Sequence, residues 1–251
     1  MPYPYGIDIA FQVSLNTSHV ANLDFLINRI GSLGFAYINN PQFFNQTLTA
    51  DTGFVGNVQI MQSAGKPVGC YIFSYAWNTA SAAYEATQVC DLLDSLGITL
   101  EMPVFFDWER TGTPYGSYEK VTAAGITVTP TLVQDMTLAF MQTVNSRGRT
   151  SGWYANIDAI NSFYTALWTS DRMAEYYYFW LAEWGLSMSY PCDVWQYEGD
   201  VQWMSIDVDK DYIIDERCVN GRIPGRIDKW LIARVVLQRK NKNKKSFIHR
   251  W

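Results

Sequence analysis

The stretch PVFFDWER, residues 103 to 110, sets Asp107 and Glu109 one residue apart directly after a run of apolar side chains. Side chains alternate faces along a strand, so the two acids share a face, roughly 6 to 7 Å apart along the backbone, while Trp108 takes the other. Two acids aimed the same way at a strand's end do not suit an ordinary core. Crowded carboxylates repel, so at least one should hold its proton near neutral pH. A protonated acid beside an ionised one is what glycoside hydrolysis requires: one protonates the leaving oxygen, and the other stabilises the cationic sugar or activates the attacking group. Divalent cation binding is the chemical rival, because hard cations prefer oxygen ligands. A helix cap or a surface ion pair is the ordinary reading of any one acid taken alone.

Other chemistries have little material. The chain has two histidines, His19 and His249, which leaves a Ser-His-Asp enzyme or a multi-His metal site short of residues. Cys70, Cys90, Cys192 and Cys218 are widely spaced, with no CxxC pair, and read as free thiols. We expect no metal and no organic cofactor. No stretch reaches the roughly 20 apolar residues of a membrane span, and Met1 to Tyr5 lack the pattern of a secretion signal.

Elements able to position the acids follow from the punctuation of the chain. Apolar runs at residues 5–11, 34–39, 67–76, 102–109, 150–156, 177–185, 193–199 and 204–212 read as eight strands. Between them, HVANLDFLINRIGSLG puts Val20, Leu23, Leu26, Ile27 and Ile30 on one helical face, and SAAYEATQVCDLLDSLG and TLVQDMTLAFMQTVNSRG each end in a glycine stop. The last connections are weak as helices. The expectation is an α/β fold, a single irregular TIM-like barrel of parallel strands with some degenerate helices. In such a barrel the strand ends surround one mouth, and Asp8 in GIDIA and Asp209 in IDVDKD would join Asp107 and Glu109 there. Aromatic residues make up 16% of the chain, so sugar-stacking rings at that mouth are as available as packing rings.

Charge divides the chain. Residues 1–215 hold 8 Lys and Arg against 22 Asp and Glu, whereas residues 216–251 hold 11 against 2. We read 1–215 as the barrel and 216–251 as a basic tail, with a possible helix at 227–238. The tail suits an anionic polymer or an acidic partner, or is simply solvated; it shows no nucleic-acid module, and no nucleic-acid partner is expected.

In order, GIDIA, GCYIFSYA, PVFFDWE, GWYAN, WLAEWG, DVWQY and DVDKDY resemble the lysozymes of glycoside hydrolase family 25, known from phage endolysins and bacterial autolysins, over about residues 5 to 215. The resemblance implies an irregular α/β barrel that cuts the β-1,4 bond from N-acetylmuramic acid to N-acetylglucosamine in bacterial peptidoglycan. It implies Glu109 as general acid, and Asp107 as the group that orients the substrate's N-acetyl group or guides water. Asp8 and Asp209 would be flanking acids that bind substrate, with Tyr71 and Trp195 as ring contacts inside the matching motifs. Retaining and inverting chemistry both stay open.

DTGFVGN, residues 51 to 57, fits the family's D-x-x-F-x-x-N pattern, with a structural role implied. The departures are at strand two, YINNPQFF in place of a Lys-x-Thr-Glu-Gly or Arg-Gly-Tyr ending, and at Ile72, where His is common. They motivate two alternatives: a noncatalytic glycan-binding or virion structural protein on the same scaffold, and a hydrolase of another N-acetylated polysaccharide such as chitin. The implied partners are peptidoglycan and, through the tail, anionic wall polymers such as teichoic acids. Synthesis in the cytoplasm, with arrival at the wall through a holin-like pore, lysis or a particle, is the expected route.

Overall fold

The structure, a computed structural model, describes residues 3–10, 12–34, 41–164 and 177–219. In chain order the elements are β1 (Tyr5–Ile9), α1 (Thr17–Ala21), β2 (Phe25–Gly31), α2 (Phe54–Ser63), β3 (Val68–Phe73), α3 (Thr79–Ser95), β4 (Val104–Asp107), α4 (Ser117–Ala123), α5 (Pro130–Ser146), β5 (Ser151–Asn156), β6 (Tyr178–Ala182), β7 (Val194–Trp203) and β8 (Ile206–Ile213). The eight strands close into one barrel in sequence order. Helices α3 and α5 end where the glycine stops place them, with Gly97 and Gly148 at φ +64° and +73° just past each end. The four cysteines are buried free thiols.

Two expectations need correction. The helix read into HVANLDFLINRIGSLG ends at Ala21, and Phe25–Gly31 is strand β2. A barrel strand is covered on both faces, so its apolar run satisfies helical spacing by accident, and periodicity cannot separate the two. Phe25 and Ile27 face the barrel interior, whereas Leu26 and Ile30 pack outside against the helices. Residues 35–39 of the strand predicted at 34–39 lie outside the described residues, as does the tail from residue 220.

The second correction is strand direction. Strands β1 to β7 are parallel, but β8 runs antiparallel to both of its neighbours. Its connection from β7 is the two residues Met204 and Ser205, both at positive φ (48° and 72°). So short a link permits only a hairpin.

The lower interior is filled by rings set against glycines. Gly6 of β1, Gly69 of β3 and Gly152 of β5 alternate with Phe25 of β2 and Phe105 of β4. A Cβ on Gly6 would lie 2.6 Å from the Phe25 ring, and one on Gly152 would lie 2.6 Å from the Phe105 ring and 2.9 Å from the Tyr178 carbonyl oxygen. Small and large residues from alternate strands thus fill one layer and close the barrel floor. Gly152→Ala is expected to destabilise the fold by about 1–3 kcal/mol through overpacking, read as a lower midpoint in urea unfolding. An unchanged midpoint would mean that the layer has slack.

Candidate active site

Above this floor the inner face turns acidic. Asp107 is the last residue of β4 and 5% exposed, and Glu109 follows two residues later on the same face. Trp108 points the other way, fully buried outside the barrel, its indole N–H donating to the Ala76 carbonyl at 2.9 Å. The alternation read from the sequence therefore holds. Asp8 sits on β1 directly opposite Asp209 of β8. Because β8 is reversed, it is its first half that reaches the mouth formed by the C-terminal ends of the parallel strands.

One side chain joins these acids. The Gln196 amide on β7 donates to Asp8 Oδ2 at 2.9 Å and to Asp209 Oδ2 at 3.1 Å. Its oxygen accepts from the Trp184 indole at 3.1 Å and lies 3.4 Å from the Tyr154 hydroxyl, which also bonds the Glu109 carboxyl. The place between Asp8 and Asp209 thus holds an N–H donor, the opposite of a cation's oxygen ligand set. Beneath lies Asp211, fully buried, with Oδ1 accepting from the Trp180 indole at 2.8 Å. Asp107 Oδ1 has no hydrogen-bond partner among the described residues, and Asp211 shares a carboxyl–carboxyl hydrogen bond with Asp8.

Burial governs the electrostatics. It pushes Glu109 up to about 7, and Asp209 adds to the rise while the Tyr154 hydroxyl opposes it. Asp107 is held well above the usual carboxylate range by burial and by Glu109, with Arg29 pulling the other way. Burial, then Asp211 and Asp209, raise Asp8 in the same sense, and Asp211 itself stands at about 7. The mouth consequently stores protons on carboxyl groups at neutral pH.

The ring residues separate. Tyr71 faces inward among these acids, 5.6 Å from the Trp180 ring in an edge contact. Trp195 does not join them: it faces outward, packs on Tyr197 and Tyr212, and gives its indole N–H to the Glu183 carbonyl at 2.7 Å. Its neighbour Gln196 takes the inward position, since adjacent strand residues cannot share a face.

Gln196, Asp211 and Arg29 are the members that the sequence did not single out. Asp211 was legible, being two residues from Asp209 on the same face. Arg29 was hidden inside the mistaken helix; it is the inward residue at the end of β2, held by Asp51 at 2.6 Å. Asp51 begins the DTGFVGN motif, and Asn57, which ends it, ties Leu15, Val13 and Asn28 together with bonds of 2.8–2.9 Å. The motif's role is structural, as expected, and through Arg29 it also reaches the site. Strand two ends in NRIG, so the departure seen at YINNPQFF concerned a different segment.

The family model for glycosyl hydrolases family 25 matches residues 42–206. The chain belongs to that family. The matched span carries Asp107 and Glu109; Asp8 and Asp209 lie outside it and are brought in by closure of β1 on β8. Solved structures share the fold. The modular autolysin LytC from Streptococcus pneumoniae aligns with a TM-score of 0.60 at 18% identity, over 83% of this chain and 46% of that one. The Clostridium perfringens spore cortex lytic enzyme SleM gives 0.64 at 16%, over 84% and 67%. The bacterial lysozyme from Streptomyces coelicolor gives 0.58 at 21%, over 85% and 93%. This chain thus spans about half the length of the autolysin. No curated protein matches it by sequence.

Proposed function

We propose that this member of family 25 is a peptidoglycan hydrolase, an N-acetylmuramidase that cleaves the β-1,4 bond between N-acetylmuramic acid and N-acetylglucosamine. The observation that carries the reading is a half-buried Glu109, pushed up to about 7, beside a fully enclosed second acid, Asp107, at the mouth of the barrel. Glu109 protonates the leaving glycosidic oxygen. Asp107 receives the charge that develops on the other side, by holding the substrate's N-acetyl group or by guiding the attacking water. Asp8 and Asp209, each with one oxygen fixed by Gln196, hold sugar hydroxyls, and Tyr71 beside them offers a ring contact to the sugar. Among the structural relatives, LytC has been solved in complex with a synthetic peptidoglycan ligand. The basic segment after residue 215 is assigned to anionic wall polymers.

A noncatalytic scaffold was motivated by an altered second strand and by Ile72; strand two is Phe25–Gly31, which removes YINNPQFF from that motive and leaves Ile72. Mass spectrometry of soluble fragments after incubation with purified peptidoglycan tests the proposal. Reducing N-acetylmuramic acid ends are expected. Reducing N-acetylglucosamine ends would assign the other glycosidic bond, free peptides with intact glycan would refute glycan cleavage, and faster hydrolysis of chitin oligomers would move the substrate to chitin.

A further inference from the structure

Outside the barrel, on α3, Glu85 is a fully buried carboxylic acid whose polar partners are a hydroxyl and a peptide N–H. Ser74 gives its hydroxyl to one carboxyl oxygen, and the Tyr75 N–H reaches the other at 3.2 Å. The five successive N–H groups that follow β3 are all satisfied. Ser74 N–H goes to the Asp107 carbonyl at 2.8 Å and Tyr75 N–H to Glu85; Ala76 N–H goes to Ser74 Oγ at 3.1 Å; Trp77 and Asn78 N–H go to Ser81 Oγ at 3.0 and 3.1 Å. A buried loop has to place every such donor, and here Glu85 and Ser81 of one helix do most of it.

The loop in turn grips the acid-bearing strand at two points. Ser74 N–H binds the carbonyl of Asp107, while Ser74 C=O accepts from the Ser117 hydroxyl at 2.6 Å, and Ser117 Oγ accepts the Glu109 N–H at 3.1 Å. A single residue, Ser74, therefore brackets Asp107 and Glu109, and its side chain is fixed by Glu85. Burying an acid without a cation is costly, and a Leu of similar size would satisfy packing alone.

We propose that Glu85 is a positioning residue for the reaction, setting the place of Glu109 through Ser74 and Ser117 without touching substrate. The inference rests on Glu109 being the proton donor of the proposed hydrolysis. Displacing a reacting group by about 1 Å can cost about 100-fold in rate, so a relay that fixes the main chain on both sides of the acid pair has a kinetic signature. Glu109 also faces Tyr154, Asp209, Glu119 and Asp200, and any displacement toward solvent brings its titration down toward that of an ordinary glutamate.

The test compares Glu85→Leu, Glu85→Gln, Ser117→Ala and Glu109→Gln with wild type. Thr137→Val is the control: it removes a buried hydroxyl bonded to Val133 and Tyr164 on α5. Two readouts are needed: the Glu109 carboxyl titration by 13C NMR, which uses no substrate, and kcat and KM on glycan oligomers. In Glu85→Leu and Ser117→Ala the Glu109 midpoint is expected to fall from about 7, with kcat lowered about 10- to 100-fold and KM nearly unchanged. Glu85→Gln keeps the Tyr75 bond through its oxygen and holds Ser74 with the direction reversed, its amide donating to Ser74 Oγ, and should restore both readouts in part. Thr137→Val should lose stability and keep both. Unchanged midpoint and kcat in folded Glu85→Leu would overturn the proposal, and if that variant does not fold, the same result in Ser117→Ala does so. Full activity of Glu109→Gln would remove Glu109 as the acid, yet the midpoint would still report whether the relay positions it.

Discussion

Glu109→Gln is expected to lower kcat by about 10²- to 10⁴-fold, the range for loss of a general acid, with the melting temperature nearly unchanged. Glutamine matches the shape of the protonated side chain, and at pH 6 burial already keeps Glu109 mostly neutral. The substitution therefore removes a transferable proton and little else. In the wild type the alkaline limb of the pH-rate profile should fall near 7, because Glu109 is competent while protonated and is lost as acid above its pKa. Steady-state rates on glycan oligomers from pH 4 to 9 check both statements. Retained activity in Glu109→Gln would shift the role to the other proton-holding carboxyls, Asp8, Asp107 and Asp211.

The fold should be more stable in mild acid than in mild base. Asp8, Glu85, Asp107 and Asp211 are buried and Glu109 is half-buried, and loss of solvent is the largest cause of the raised pKa of each. In the unfolded chain they titrate at the ordinary 3.8 to 4.5, whereas in the fold Glu109 and Asp211 stand at about 7 and Glu85 at about 8. Between those limits the native state binds more protons than the unfolded state, so unfolding free energy falls as pH rises. The contribution is whole below about pH 4 and is lost through pH 7 to 8. Each unit of separation corresponds to about 1.4 kcal/mol, so the melting temperature should drop by several degrees between pH 5.5 and pH 8.5. Calorimetry at constant ionic strength reads the effect. A flat or rising profile would mean that these carboxyls are charged in the native state.

The sequence by itself determined the acid pair and much of its frame. Alternation about Trp108 put Asp107 and Glu109 on one face, and the order of motifs named the family. The glycines after α3 and α5 marked where those helices stop. Such features are local: they depend on side-chain direction and backbone preference within a few residues.

Tertiary structure decided the rest. Whether FLINRI was helix or strand depended on its being covered from both sides, so Arg29 entered the site only once β2 was in place. The Met204–Ser205 turn reverses β8, yet Asp209 meets Asp8 only when that strand closes the barrel against β1. Either Trp195 or Gln196 could face inward by alternation alone, and the register of β7 between β6 and β8 gave the place to Gln196. The path from Glu85 through Ser74 and Ser117 to Glu109 joins residues far apart in the chain, and long-range hydrogen bonds leave no period for a sequence to display.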